Sequence, residues 1–156
     1  MSSAVGARAR GVLTALDYQE QETERRAALR AVRAVRHRVA NTLQVASGWA
    51  QLGEGEKAQE VLGRMVREEA LLSALGRAGD EAEQYALWQL LADAEEAGQP
   101  LAWRGEPGDI GPRTLQGLLP QLRRALADRR AGVLLIACAA DGVTVSWPEE
   151  DLDVRR

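Results

Sequence analysis

ETERRAALRAVRAVRHRVANTLQVASGWAQL, residues 22–52, contains no proline and a single glycine, Gly48. Leu29, Val32, Val39, Leu43, Ala46 and Ala50 recur in steps of three and four, with Arg36 as the one interruption. That spacing predicts a helix with a single bundle-forming stripe. Roughly thirty residues at about 1.5 Å each give a rod of about 45 Å, more than a compact domain of this size can cover alone. Part of the stripe is therefore expected to meet another chain.

LGEGEK (52–57) follows with two glycines among polar residues, a connection of the length that joins antiparallel helices. A second helix is expected over about Glu56–Leu75, with Ala58, Val61, Leu62, Met65, Val66, Leu72 and Leu75 on one broad face. One such hairpin leaves a wide apolar surface open. Pairing two hairpins into a four-helix bundle covers it, so a homodimer is expected.

The polar break GRAGDEAEQ (76–84) ends that pattern. Beyond it the chain reads as a helix over about Tyr85–Ala97, a strand in PLAWRG (100–105), and a helix over about Pro112–Arg129 bent at Pro120. AGVLLIACA and VTVSW, separated by ADG, read as a β-hairpin. The fold class is thus α+β. Three parts are expected: an N-terminal extension (1–21), a helical hairpin for dimerisation and chemistry (22–78), and a small α/β domain (79–156) whose last residues, PEEDLDVRR, are frayed.

Composition narrows the function. A net charge of -3 argues against a general nucleic-acid or anionic-membrane role. No run of about 20 apolar residues is present, and GVLTAL near the start is too short for a signal-peptide core, so a cytoplasmic protein is expected. The one cysteine, Cys138, lies in an apolar run and reads as a buried thiol. Trp88 and Trp103 read as core of the small domain, and Trp49 as packing at the closed end of the bundle. The Glu-rich runs EQETE (20–24) and EEAGQ (95–99) read as solvated helix faces, and RRALADRR (123–130) as surface.

His37 is the only histidine in the chain. It sits beside the stripe, hence on the flank of the expected bundle, with Asn41 one turn further along the same face. Arg33, Arg36 and Arg38 surround it with positive charge. A neutral imidazole in such a field suits phosphoryl transfer, in which the ring nitrogen is the nucleophile and arginines compensate negative charge. A metal site is not expected without a second histidine, and no GxSxG turn points to a hydrolase. One histidine on a solvated face also needs no function, and spacing alone leaves both readings open.

RHRVANTLQVASGWAQLGEGEKAQEVLGRM (36–65) resembles the histidine-bearing hairpin of the sporulation phosphotransferase B family and related sensor kinases, with the pattern R-H-x-x-x-N-x-L-Q-x-x-x-G. Arg36, His37, Asn41, Leu43, Gln44 and Gly48 carry the match. The resemblance implies a homodimeric four-helix bundle that takes a phosphoryl group onto His37 from the aspartate of one response-regulator receiver domain and passes it to another. Asn41 and Gln44 would shape the surroundings of His37, and Arg36 and Arg38 would support charge or docking. No intrinsic cofactor is implied, and Mg²⁺ would belong to the receiver. The C-terminal domain is expected to be a reduced relative of the histidine-kinase ATPase fold.

The chain departs from that family twice. Members usually carry Asp or Glu directly after the histidine, where this chain has Arg38. A working kinase domain also needs an Asn-rich helix and a D-x-G-x-G loop. TLQGLLPQLRRALAD (114–128) has no Asn, and ADGVTVSW (140–147) lacks the second glycine. The expectation is a phosphotransferase without ATP-dependent kinase activity. Two alternatives remain: a non-phosphorylated dimeric docking module that regulates a two-component system, and a divergent sensor histidine kinase.

Overall fold

The computed structural model describes residues 3–148, with side chains from Thr14 onward. The C-terminal stretch expected to fray lies, apart from Pro148, outside the described residues. The order of elements is α1 (Ser3–Gln51), α2 (Gly55–Ala78), α3 (Glu81–Glu96), β1 (Leu101–Arg104), a 3-10 turn (Pro107–Asp109), α4 (Pro112–Asp128), β2 (Leu134–Ala139) and β3 (Gly142–Ser146). The fold is α+β.

Helix α1 begins well upstream of the expected start, and its 49 residues give a rod of about 70 Å. The helix ends at Gly53, whose φ of 78° is left-handed backbone that a Cβ disfavours. There the Leu52 amide donates to the Gly48 carbonyl at 3.1 Å and the Glu54 amide to the Trp49 carbonyl at 2.9 Å. The chain reverses into α2, and the Lys57 ammonium lies 4.6 Å from the centre of the Trp49 ring across the turn. That contact fastens the closed end of the hairpin.

Helix α3 starts one tight turn after α2. Its cap is reciprocal: Asp80 Oδ1 accepts from the Glu83 amide at 2.8 Å, and Glu83 Oε2 accepts from the Asp80 amide at 3.1 Å. The helix then packs against α1 as well as α4. Helix α4 accommodates Pro120 within one continuous helix on an exposed face.

The sheet has the order β1-β2-β3. β1 pairs parallel to β2 with Leu101 opposite Leu134, and β2 pairs antiparallel to β3 with Ile136 opposite Val145. The parallel pair is connected through α4, while the antiparallel pair is the hairpin marked by ADG. Leu134, Ile136 and Cys138 alternate onto the core face of β2. They meet Leu71, Leu72 and Leu75 from the end of α2, Leu87 from α3, and Leu115, Leu118 and Leu122 from α4. Trp103 is buried in this core and Trp88 packs at its edge, as expected. Burial raises the pKa of the Cys138 thiol above its usual range.

On the outer edge of β3, Gln121 of α4 does what a further strand would do. Its Nε2 donates to the Val143 carbonyl at 3.0 Å, and its Oε1 accepts from the Val145 amide at 3.1 Å.

Helix α1 buries Ala27 and Ala46 within the chain, and Ala46 is a member of the predicted stripe. Larger residues of the predicted faces stay in part uncovered. Leu29 is 47% exposed, Val32 54% and Leu43 50%, and Val66 on α2 is 64% exposed.

Candidate functional site

His37 projects from α1 with 65% of its side chain exposed. Asn41, one turn on, brings Nδ2 to 3.4 Å from His37 Nε2, the pair that helical spacing predicted. Nδ1 faces the other way and meets Glu95 Oε1 of α3 at 2.5 Å. An imidazole contacted at both nitrogens has a fixed ring plane, and the side chain as a whole stays largely exposed on the flank of α1.

Glu95 is the residue that sequence reasoning missed. The run EEAGQ was read as a solvated face, and Glu96, Ala97 and Gly98 are exposed, but α3 lays its acidic end on the basic side of α1 and engages Glu95 and Glu96 there. Arg30 Nε donates to Glu96 Oε1 at 2.8 Å, and Nη2 donates to Glu96 Oε2 at 2.7 Å and to Asp93 Oδ1 at 2.6 Å. This two-pronged grip on Glu96 is the geometry for which a guanidinium is suited. The hydrogen bond from Arg30 holds the Glu96 carboxyl below its usual pKa. Nothing within α3 itself marks Glu95 as different from its neighbours. The signal would have been a pairing of the acidic end of one helix with an Arg/His row on another.

The remaining site residues separate. Arg38, next in sequence to His37, turns inward and donates from Nη2 to Glu69 Oε1 of α2 at 2.6 Å. It lines a cavity of about 230 Å³ between α1, α2, α3 and β1, which also includes Glu68, Trp88, Glu95 and Trp103. Burial there raises the Glu68 pKa above its ordinary value, with Arg38 opposing the shift. Arg36 is exposed and borders an apolar groove with Val32, Tyr85 and Trp88. Arg33 and Gln44 are exposed on α1. Gly48 has open space where a side chain would stand. Arg123, Arg129 and Arg130 line a broad depression at the far end of α4.

Among the described residues no group of three or more His, Cys, Asp or Glu side chains could hold a metal ion. No described helix is long and apolar enough to cross a membrane.

An antiparallel helical pair that presents one histidine on its flank is the layout expected of the helical domains of phosphorelay proteins. Residues 18–77 match the family described as the sensor kinase SpoOB-type, alpha-helical domain. Over those residues the hairpin is similar to a sensor-kinase helical domain of the SpoOB type. The match takes in His37, Asn41, Gln44 and Gly48, and it ends before α3 and Glu95. No curated protein and no solved structure matches the chain.

Proposed function

We propose that the protein is a histidine phosphotransferase, which accepts a phosphoryl group on His37 from the aspartate of a receiver domain and passes it to a second receiver. The observation that carries this reading is a largely exposed imidazole held at Nδ1, on a hairpin that matches the SpoOB-type helical domain. Nε2 is the nucleophile, and the receiver brings the Mg²⁺ that the transferred group needs. Arg36, exposed one residue away, supplies positive charge on the docking side. Arg38 acts from beneath, by holding α1 to α2 through Glu69.

The working unit in this reading is a homodimer. Leu29, Val32, Leu43 and Val66 are each about half exposed or more, and a four-helix bundle made from two hairpins covers such residues. The C-terminal α/β layer serves as support and not as an ATP-dependent kinase, in keeping with the missing Asn and the missing second glycine.

Incubation with a panel of phosphorylated receiver domains is expected to leave acid-labile, base-stable label on the wild-type chain and none on His37→Ala. Label that persists in His37→Ala overturns the reading. The docking-module alternative gives a different result, since His37→Gln would then bind its receiver and regulate it as the wild type does.

A further inference from the structure

The contact between Glu95 and His37 has no counterpart in the hairpin itself. Fifty-eight residues separate the two, and Glu95 arrives on α3, beyond the segment that matches the SpoOB-type domain. Arg38, which stands next to the histidine, is engaged by Glu69 and offers the ring nothing. Glu95 itself is only 29% exposed and lies at the rim of the cavity formed with Trp88 and Trp103.

We propose that Glu95 is the positioning residue for His37, fixing the neutral ring with its proton on Nδ1 and its lone pair on Nε2. This rests on the phosphotransfer reading above. Three observations converge on it. A carboxylate only accepts, so the Nδ1 it faces must carry the hydrogen. The Asn41 amide at Nε2 can then donate to a lone pair, which makes both contacts satisfiable by one tautomer. That second contact, at 3.4 Å, is long enough to give way to an incoming group.

The contact is not an occluding one, because two thirds of the histidine side chain stays open with Glu95 in place.

The transfer step then needs no proton movement. Nε2 donates its lone pair to the phosphorus of the receiver's aspartyl phosphate. The N–P bond forms as the O–P bond breaks, and the aspartate leaves as a carboxylate with that electron pair. Nδ1 keeps its hydrogen throughout, so the phosphorylated ring carries a positive charge that the Glu95 carboxylate balances. Onward transfer to a second receiver runs the same bonds in reverse and returns the neutral ring to the same tautomer.

The test uses the full chain, with two readouts. Nitrogen-15 NMR of neutral His37 is expected to show the Nδ1–H tautomer in the wild type and a shift toward Nε2–H in Glu95→Ala. The rate of labelling from a phosphorylated receiver is expected to fall about 10- to 100-fold in Glu95→Ala, the usual scale when the partner that fixes a histidine's tautomer is removed. Arg30→Ala loosens the same helix pair without touching the ring, and it is expected to keep the wild-type tautomer. An unchanged tautomer in Glu95→Ala overturns the proposal. So does equal slowing in Arg30→Ala with the tautomer intact, since Glu95 would then only be docking α3. A wild type that shows the Nδ1–H tautomer but takes no label supports the role of Glu95 and overturns the phosphotransfer reading instead.

Discussion

The hairpin and the α/β layer are built from similar proportions of apolar residues, yet they use them differently. Leu87, Leu115, Leu118, Leu122, Leu134 and Ile136 are fully buried in the layer. On the free face of the hairpin, Leu29, Val32, Leu43 and Val66 keep about half or more of their surface in water. The layer closes its core within one chain, while the hairpin presents apolar surface that a single chain does not cover. Stability is therefore concentrated at one end of the molecule and association capacity at the other.

The largest effect is expected in the layer. Leu118→Ala removes a fully buried side chain from the centre of the core and is expected to cost about 2–5 kcal/mol, read from denaturant unfolding of the whole chain. A cost below about 1 kcal/mol would mean that the layer is loosely packed and that the contrast with the hairpin is false.

A smaller effect on the single chain is expected from Leu29→Ser with Leu43→Ser. Each removes a half-exposed side chain, so the cost to a dilute chain is expected to stay near 0.5 kcal/mol per site. If these residues are covered by a second copy, the pair abolishes the concentration dependence of Tm that an associating wild type shows. Wild-type sedimentation as a monomer at all concentrations breaks this part of the comparison.

The smallest effect concerns the clamp that joins the two ends. Glu96 has a depressed pKa in the folded chain because Arg30 binds its carboxylate. A depressed carboxyl contributes stability above its unfolded value of about 4.5, and this is lost as pH falls through the lower, folded value. Arg30→Ala is expected to flatten the acid limb of a Tm-versus-pH profile below that range and to leave the slope near neutral pH as it was. An identical acid limb in both proteins would show that the clamp contributes nothing.

Periodicity made the helix pair legible, because the three-four steps from Leu29 to Ala50 and the face from Ala58 to Leu75 are strong local signals. ADG between two β-rich runs marked the hairpin of β2 and β3. Asn41 was legible beside His37 because four residues make one helical turn. The burial of Ala27 was not. Ala27 lies outside the three-four stripe, and its small side chain gives only a weak hydrophobic signal. Glu95 escaped for another reason. Charge pairs within a helix follow fixed spacings, whereas a pair between α1 and α3 depends on how the two rods come to lie together.

The amide of Gln121 has a consequence for how the molecule can assemble. It occupies one hydrogen-bonding slot on the outer edge of β3, by satisfying Val143 and Val145 as a peptide group of a neighbouring strand would. An unpaired strand edge is a template on which other chains can add. Here one slot of the template is filled from inside the same molecule, with no extra backbone. Addition of a strand is hindered at that slot on the β3 border.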